Sequence, residues 1–415
     1  EPIEVRAPAT DTAIGTIPDC SAAAVDRAVD RARTAKTAWA ETPVDERCAI
    51  LERFGDLVLQ HRTELLDLLQ LETGKSRRHA VEEVVDVALT SSYDADQGAA
   101  ALEEERRRGA FPPATTARVT AEPVGVVGAI SPWNYPLTLS ITDVLPALVA
   151  GNAVVLKPDE KTPYTALALA ELLEQAGLPE GCFEIVTGRG STVGPALIDR
   201  VDYVSFTGST ETGRLVAEQA GRNLIDCSLE LGGKNPLLVL DDADIEAAAR
   251  GAVQACFTNA GQLCLAAERI YVAEPIVDEF REAFVEATQK LSLGTGFDFT
   301  ADMGSLIDGD QLERVERHVE DARERGATVL TGGQRRPDVG PFCYEPTILT
   351  DLEPDATAAC EETFGPVAAV FRVDSERDAI DLANDSTLGL GASVWTEDLE
   401  RGERVASRQL HSPGS

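Results

Sequence analysis

Three side chains far apart in the chain are of types that could each carry chemistry: a nucleophile, a general base and an oxyanion donor. Cys264 closes the stretch Asn259-Ala-Gly-Gln-Leu-Cys264. A cysteine attacks as its thiolate, so it needs help to lose its proton. No histidine or basic cluster lies beside it in sequence, so that help must come from another segment. Packing as a small buried hydrophobe is the other reading of any single cysteine. Glu230 opens Glu230-Leu-Gly-Gly-Lys234, where a carboxylate beside a glycine pair could act as a general base. An exposed acid next to a turn would look the same. Asn134 sits in Ser131-Pro-Trp-Asn-Tyr-Pro136, between prolines that would hold its amide still. A fixed amide donor can stabilise an oxyanion, although a structural turn around a packed Trp133 fits equally.

Two further segments suit a nucleotide. Lys157-Pro-Asp-Glu160 follows the apolar run Val154-Val155-Leu156, so Lys157 emerges at a strand end. Lysine donates and glutamate accepts, which matches ribose hydroxyls or phosphate; a solvated strand end is the alternative. Thr207-Gly208-Ser209-Thr210-Glu211-Thr212-Gly213 follows a strand and opens a helix. A glycine turn at a helix N-terminus attracts anions, but Ser209 could simply cap the helix.

The surrounding pattern supplies the elements that must position these residues. Residues 21 to 108 read as helices, with apolar residues at helical spacing from Ala49 to Leu71. Phe111-Pro-Pro-Ala-Thr-Thr-Ala-Arg-Val-Thr-Ala then reads as an exposed hairpin arm. Strands follow at Val124 to Ile130, Ala153 to Leu156, Cys182 to Val186 and Tyr203 to Phe206. Helices alternate with them at Pro163 to Ala176, Thr192 to Ile198, and Thr210 to Ala220 closed by Gly221. Such alternation implies a parallel sheet covered on both faces, with ligands at the carboxyl ends of its strands. A second unit begins near Leu231-Gly-Gly. It has a strand at Pro236 to Leu240, a helix capped by Asp241, Asp242 or Asp244, and more α/β alternation through Ile270 to Val272, Glu274 to Leu291, Ile348 and Val394. The fold class is therefore α/β.

Composition narrows the function classes. The net charge of −34 repels phosphate, so nucleic acid and anionic membranes are excluded as partners. The chain carries six lysines among its 37 basic residues, a balance expected of a protein kept soluble in concentrated salt. Eight cysteines without a CxxC, and four histidines, give no zinc spacing and suit a reducing cytosol, so no metal is expected and the location is read as cytoplasmic. There is no apolar run of membrane-spanning length and no signal-peptide pattern. The absence of an initiator Met suggests a trimmed chain or a fragment.

Taken in order, Trp133-Asn134, Lys157 to Glu160, Gly208-Ser209-Thr210-Glu211, Glu230-Leu-Gly-Gly-Lys, Gly261-Gln-Leu-Cys264 and Glu362-Thr-Phe364-Gly-Pro resemble the aldehyde dehydrogenase superfamily, from near residue 5 to near residue 408. The resemblance implies a Rossmann-type cofactor domain at 1–104 and 122–230, a hairpin oligomerisation arm at 105–121 and a second α/β catalytic domain at 231–415. It implies that Cys264 attacks an aldehyde, that Asn134 stabilises the oxyanion and that Glu230 activates the hydrolytic water. It places Lys157 and Glu160 at the adenosine ribose, Gly208 and Ser209 at the pyrophosphate, Trp133 beside the cofactor, and Glu362 with Phe364 at the nicotinamide ribose. Glu160 would accept from a 2′-hydroxyl and repel a 2′-phosphate, so NAD is preferred and NADP left open.

Trp133 to Thr138, with Gly261 to Cys264, is similar to family members acting on succinate semialdehyde, which makes its oxidation to succinate the specific expectation. Some of those members clamp the substrate with arginines where this chain has Thr142 and Thr258. Other small aliphatic aldehydes thus remain as substrates. The ending Gln409-Leu-His-Ser-Pro-Gly-Ser415 does not resemble the family's next strand, so the catalytic domain is expected to be incomplete at its C-terminus. The partners expected are a small aldehyde and further copies of the chain, as a homodimer or homotetramer. Three rivals stand beside this reading: a truncated non-catalytic homologue, a relative that passes the acyl group to coenzyme A or phosphate, and a plain nucleotide-binding module.

Overall fold

The computed structural model describes residues 1–111 and 114–409. Pro112 and Pro113 of the expected hairpin, and the ending from Leu410, lie outside the described residues. The chain divides into two compact units. Unit 1 comprises Glu1–Arg6, Ala13–Glu72 and Ala80–Glu230; unit 2 comprises Ala7–Thr12, Thr73–His79 and Leu231–Ser415.

The chain opens with paired strands β1 (Ile3–Ala7) and β2 (Thr12–Ile17), then helices α1 (Ala22–Glu41), α2 (Val44–Gln60), α3 (Arg62–Thr73) and α4 (Arg77–Ala101). Strands β3 (Glu105–Arg108) and β4 (Thr116–Val119) form an antiparallel hairpin. Residues 105–108 are therefore strand, inside the span 105–121 where the resemblance implied a hairpin, and not the helix that the residue pattern suggested up to 108. Pairing with Thr116–Val119 decides their state, since Glu-Arg-Arg-Arg has little strand preference of its own.

Next come β5 (Val126–Ile130), α5 (Pro136–Leu139), α6 (Val144–Val149), β6 (Ala153–Lys157), α7 (Pro163–Gln175), β7 (Phe183–Ile185), α8 (Gly190–Ile198), β8 (Tyr203–Thr207), α9 (Thr210–Asn223) and β9 (Asp226–Glu230). The five strands pair in the order β7-β6-β5-β8-β9, all parallel. The chain enters this sheet at β5, builds outward to β7, then returns to β8 on the other side of β5. That reversal leaves the carboxyl ends of β6, β5 and β8 side by side, where parallel sheets hold ligands. β6 is buried along its whole length, as expected of a strand covered on both faces. Ser209 caps α9 by accepting from the Thr212 amide. Leu224, in left-handed conformation at φ 57°, ends α9, and not Gly221 as the sequence suggested.

Unit 2 continues with β10 (Asn235–Val239), α10 (Ile245–Phe257), β11 (Ala267–Ala273), α11 (Val277–Gln289), α12 (Gly309–Glu324), β12 (Thr328–Thr331), β13 (Thr347–Thr350), α13 (Thr357–Cys360), β14 (Val367–Val373), α14 (Glu376–Asn384), β15 (Ser393–Trp395) and α15 (Leu399–Gln409). Its six-stranded sheet has the order β12-β13-β14-β11-β10-β15, parallel except for β12. Of the three candidate caps, Asp244 caps α10 by accepting from the Ala247 amide. Among the described residues, no helix is long and apolar enough to cross a membrane.

The core of unit 2 packs α10 on α11 through aromatic rings. Phe284 stacks on Phe257 at 6.0 Å between centroids and on Phe280 at 5.6 Å. All three are at most 2% exposed. Replacing Phe284 by Ala should cost about 3–5 kcal/mol, through lost transfer energy and the cavity left behind. Denaturant unfolding should show this as a lower midpoint.

Candidate active site

Unit 1 gathers the candidate residues at the carboxyl ends of its strands. Ser131 to Tyr135 follow β5, Lys157 to Glu160 end β6, Gly208 and Ser209 follow β8, and Glu230 ends β9. Asn134 is buried and its loop is fastened at both ends. The Ser131 amide donates to the Lys157 carbonyl at 3.1 Å. On the far side, Glu83 from α4 accepts from the amides of Leu137 (2.8 Å) and Thr138 (3.2 Å). Glu83 is fully buried, so its carboxylate serves as a remote cap on α5. Trp133 lies against Lys161, whose ammonium is 5.5 Å from its ring centre.

The next loop is built in the same way. Lys157 is 3% exposed and donates to Glu160 at 2.9 Å. Burial opposes ionisation of Glu160, but the charge and hydrogen bond of Lys157 outweigh it and hold its carboxyl below the ordinary value. Glu72 from α3 accepts from the amides of Tyr164 (2.6 Å) and Thr165 (2.8 Å) and so fixes the start of α7. Burial pushes the Glu72 carboxyl up to about 7, against the pull of its three hydrogen bonds. Glu230 is exposed, and its carbonyl accepts from the Gly208 amide at 3.0 Å. β9 thus braces the glycine turn. A side chain at Gly208 would strike the Phe206 ring at 2.6 Å.

In unit 2, Cys264 follows three successive left-handed residues: Asn259 (φ 52°), Ala260 (φ 54°) and Gly261 (φ 70°). Such a run is costly and persists only where its surroundings impose it. Here they do. The Asn259 amide donates to His79 Nδ1 at 3.1 Å. Burial, helped by the charges of Lys75 and Arg78, lowers His79 to about 4, so the ring is a neutral acceptor. Gln262 donates to the carbonyls of Asn259 (3.0 Å) and Ser305 (3.3 Å), and accepts from the Ile307 amide at 2.9 Å. At Gly261 any Cβ would lie 2.1 Å from the Gly365 carbonyl oxygen. The Cys264 carbonyl accepts from Asn235 Nδ2 at 2.7 Å, and the same amide group reaches the Ala266 carbonyl at 2.9 Å. The main chain is therefore pinned on both sides of the thiol.

Cys264 is half-buried. Burial pushes the thiols of Cys182 and Cys343 up to about 11, and that of Cys256 further still, which leaves them as packing groups. Gly233 lies between Cys264 and Glu362. Its amide donates to Glu362 Oε1 at 3.0 Å, and a Cβ there would come within 2.8 Å of the Cys264 carbonyl. Burial raises the Glu362 carboxyl above its ordinary value, with the Gly233 amide pulling the other way. Gln311 donates to the Phe364 carbonyl at 2.7 Å. Thr142 and Thr258 bring no guanidinium for a substrate carboxylate; Thr258 Oγ1 donates to the Gln254 carbonyl at 2.7 Å.

The supporting residues Glu72, Glu83, His79, Asn235 and Glu268 were missed in the sequence. A charged pair, Glu268 and Arg269, within the otherwise apolar strand Ala267–Ala273 was the available signal.

The donor set suits the ribose hydroxyls and phosphates of a nucleotide. An ammonium and a carboxylate end one strand; a glycine turn and the N-terminus of a 14-residue helix follow another. Residues 1–411 match the model of the aldehyde dehydrogenase family. The chain belongs to the aldehyde dehydrogenase family. It is 51% identical over 399 residues to a Mycolicibacterium smegmatis protein provisionally named succinate-semialdehyde dehydrogenase (NADP+), covering 96% of this chain and 77% of that one. The crystal structure of succinate-semialdehyde dehydrogenase from Burkholderia pseudomallei superposes with a TM-score of 0.95 at 39% identity, covering 98% of this chain and 84% of that one. Betaine aldehyde dehydrogenase from Staphylococcus aureus, solved in complex with NAD+, gives 0.93 at 34% identity, covering 98% and 82%. This aldehyde dehydrogenase is an NAD(P)-dependent oxidoreductase acting on small aldehydes.

The Glu72 carboxyl yields a pH prediction. Its folded value near 7 lies above the ordinary 4.5, so the unfolded chain ionises first as pH rises. Its contribution to stability is whole below 4.5 and is lost between 4.5 and 7. Glu72→Gln cannot ionise. Urea titrations from pH 4 to pH 8 should show the stability difference between parent and variant shifting towards the variant as pH rises.

Proposed function

We propose that this chain oxidises succinate semialdehyde to succinate, with Cys264 as nucleophile. The observation that carries the reading is the half-buried thiol on a main chain pinned at both flanks, by Gln262 and His79 before it and Asn235 after it. A fixed nucleophile reduces the entropy lost on reaching the reactive geometry. The names of the Mycolicibacterium smegmatis and Burkholderia pseudomallei relatives support the choice of aldehyde.

In the reaction, the Cys264 thiolate adds to the aldehyde carbon and forms a thiohemiacetal. The side-chain amide of Asn134 and the Cys264 main-chain amide donate to the resulting oxyanion. The dinucleotide, when bound, supplies the acceptor for the hydride whose departure leaves a thioester on Cys264. Glu230 takes a proton from water as that water attacks the thioester. The C–S bond breaks, Cys264 returns as thiolate, and the carboxylic acid leaves and gives its remaining proton to solvent. An exposed carboxylate suits this role because it must meet solvent water. That feature favours hydrolysis over transfer to coenzyme A or phosphate.

For the cofactor, Lys157 and Glu160 would hold the adenosine ribose, Gly208 and Ser209 the pyrophosphate, and Glu362 the nicotinamide ribose, with Trp133 and Phe364 beside it. Lys157 keeps Glu160 ionised, so Glu160 accepts from a 2′-hydroxyl and repels a 2′-phosphate. NAD is the preferred cofactor on this ground, although the Mycolicibacterium smegmatis relative carries NADP in its name. The cofactor domain comprises 1–104 and 122–230, and the catalytic domain 231–415. The β3–β4 hairpin, exposed through β3 and at Phe111 and Val119, serves as the oligomerisation arm of a homodimer or homotetramer. Eight cysteines spread through 415 residues without a CxxC support a cytoplasmic location.

Two measurements test this. In high salt, parent protein should reduce cofactor with succinate semialdehyde, and Cys264→Ala should fall to background; turnover surviving in that variant sinks the mechanism. Glu160→Ala should raise KM for NAD about tenfold or more while improving the use of NADP, since a charge-assisted hydrogen bond is lost and a repulsion removed. An unchanged NAD-to-NADP ratio of kcat/KM would count against the role of Glu160.

A further inference from the structure

Glu268 lies inside β11 and is 3% exposed. Its Oε2 pairs with Lys234 Nζ, and Lys234 is 1% exposed. The Thr363 amide donates to both carboxylate oxygens, at 3.0 and 2.8 Å, and the Phe364 amide donates to Oε1 at 2.9 Å. Phe364 has φ 54°, a left-handed backbone that an aromatic residue adopts only when held there. Two residues earlier is Glu362, whose carboxylate accepts from Gly233, the neighbour of Lys234.

Two segments are thus stitched together twice. Gly233 ties directly to the Glu362 side chain, and Lys234 ties through Glu268 to the two amides that follow it. Buried ion pairs are a poor source of stability, because desolvation offsets their attraction and apolar replacements are often as stable. Keeping one here, in a chain with six lysines, points to geometry as its use.

We propose that Glu268, with Lys234, is a positioning residue that sets the orientation of Glu362 and the strained Phe364 peptide for the cofactor's nicotinamide ribose. The proposal rests on the reading that Glu362 meets that ribose. Glu268 touches neither cofactor nor aldehyde; it acts through main-chain amides. A neutral amide in its place could not accept from both Thr363 and Phe364 while pairing with the ammonium.

The test uses the full chain with Glu268→Gln, Glu362→Gln and their double variant. Three readouts are taken: KM for the cofactor, kcat, and the rate at which iodoacetamide alkylates Cys264 without cofactor. Glu268→Gln should raise the cofactor KM about fivefold or more, as expected for loss of hydrogen bonds to a charged group, and leave alkylation within about twofold. The double variant should be no worse than Glu362→Gln, because both act on one contact. A cofactor KM close to the parent's, with only thermal stability reduced, overturns the proposal. So do defects that multiply in the double variant. A silent Glu362→Gln removes the ribose reading itself, and a cofactor defect in Glu268→Gln would then run by a route other than the one proposed. Should the single variant fail to fold, Lys234→Gln with Glu268→Gln leaves no unpaired buried charge and is read by the same criteria.

Discussion

Buried carboxylates gripping main-chain amides are the interaction on which the rest of this structure depends. Glu83 takes the two amides that follow the Asn134 loop, Glu72 those that follow the Lys157 loop, and Glu268 those that follow Glu362. In each case the carboxylate comes from a different element and satisfies donors that a loop or helix start would leave orphaned. The loops carry the polar side chains, but the glutamates fix where those side chains begin. Strands alone could not do this, because a parallel sheet specifies its strands and leaves the turns after them free.

The nucleophile turn solves the same difficulty without a carboxylate. Three left-handed residues in a row reverse the chain between α10 and Cys264. His79, Gln262 and Asn235 then absorb the freed amides and carbonyls. Only one of the three positions is glycine. The strain at Asn259 and Ala260 is therefore held by hydrogen bonds and packing, as is common where a side chain must be presented in a fixed direction.

Much of this was legible in the sequence, for a physical reason. Lys157 and Glu230 end strands β6 and β9, and a parallel sheet sends strand ends to the ligand; Cys264, in a turn ahead of β11, stood out only through the ordered set of motifs it belongs to. β5, β6 and β8 were visible because strands covered on both faces are continuously apolar. What escaped were residues whose role depends on a partner distant in sequence. Glu83 looks like one more polar position on α4, and Asn235 like the first residue of a strand. The strand at 105–108 was invisible to the residue pattern, although the family resemblance put a hairpin at 105–121, because pairing, not propensity, creates it. The end of α9 was misplaced because glycine is the usual stop, yet Leu224 takes the left-handed position.

Three of the six lysines, Lys75, Lys157 and Lys234, are buried. The surface answers its acids chiefly with arginine, as at Arg401, which bridges Asp241, Asp242 and Glu376. Two of the buried lysines each face a single carboxylate, Lys157 at Glu160 and Lys234 at Glu268, where one compact charge answers one acid. The folded protein therefore hides half of its side-chain amines from solvent. Reagents that modify primary amines would meet few targets until the chain opens, so the reactivity of these lysines is a built-in gauge of whether the protein is folded.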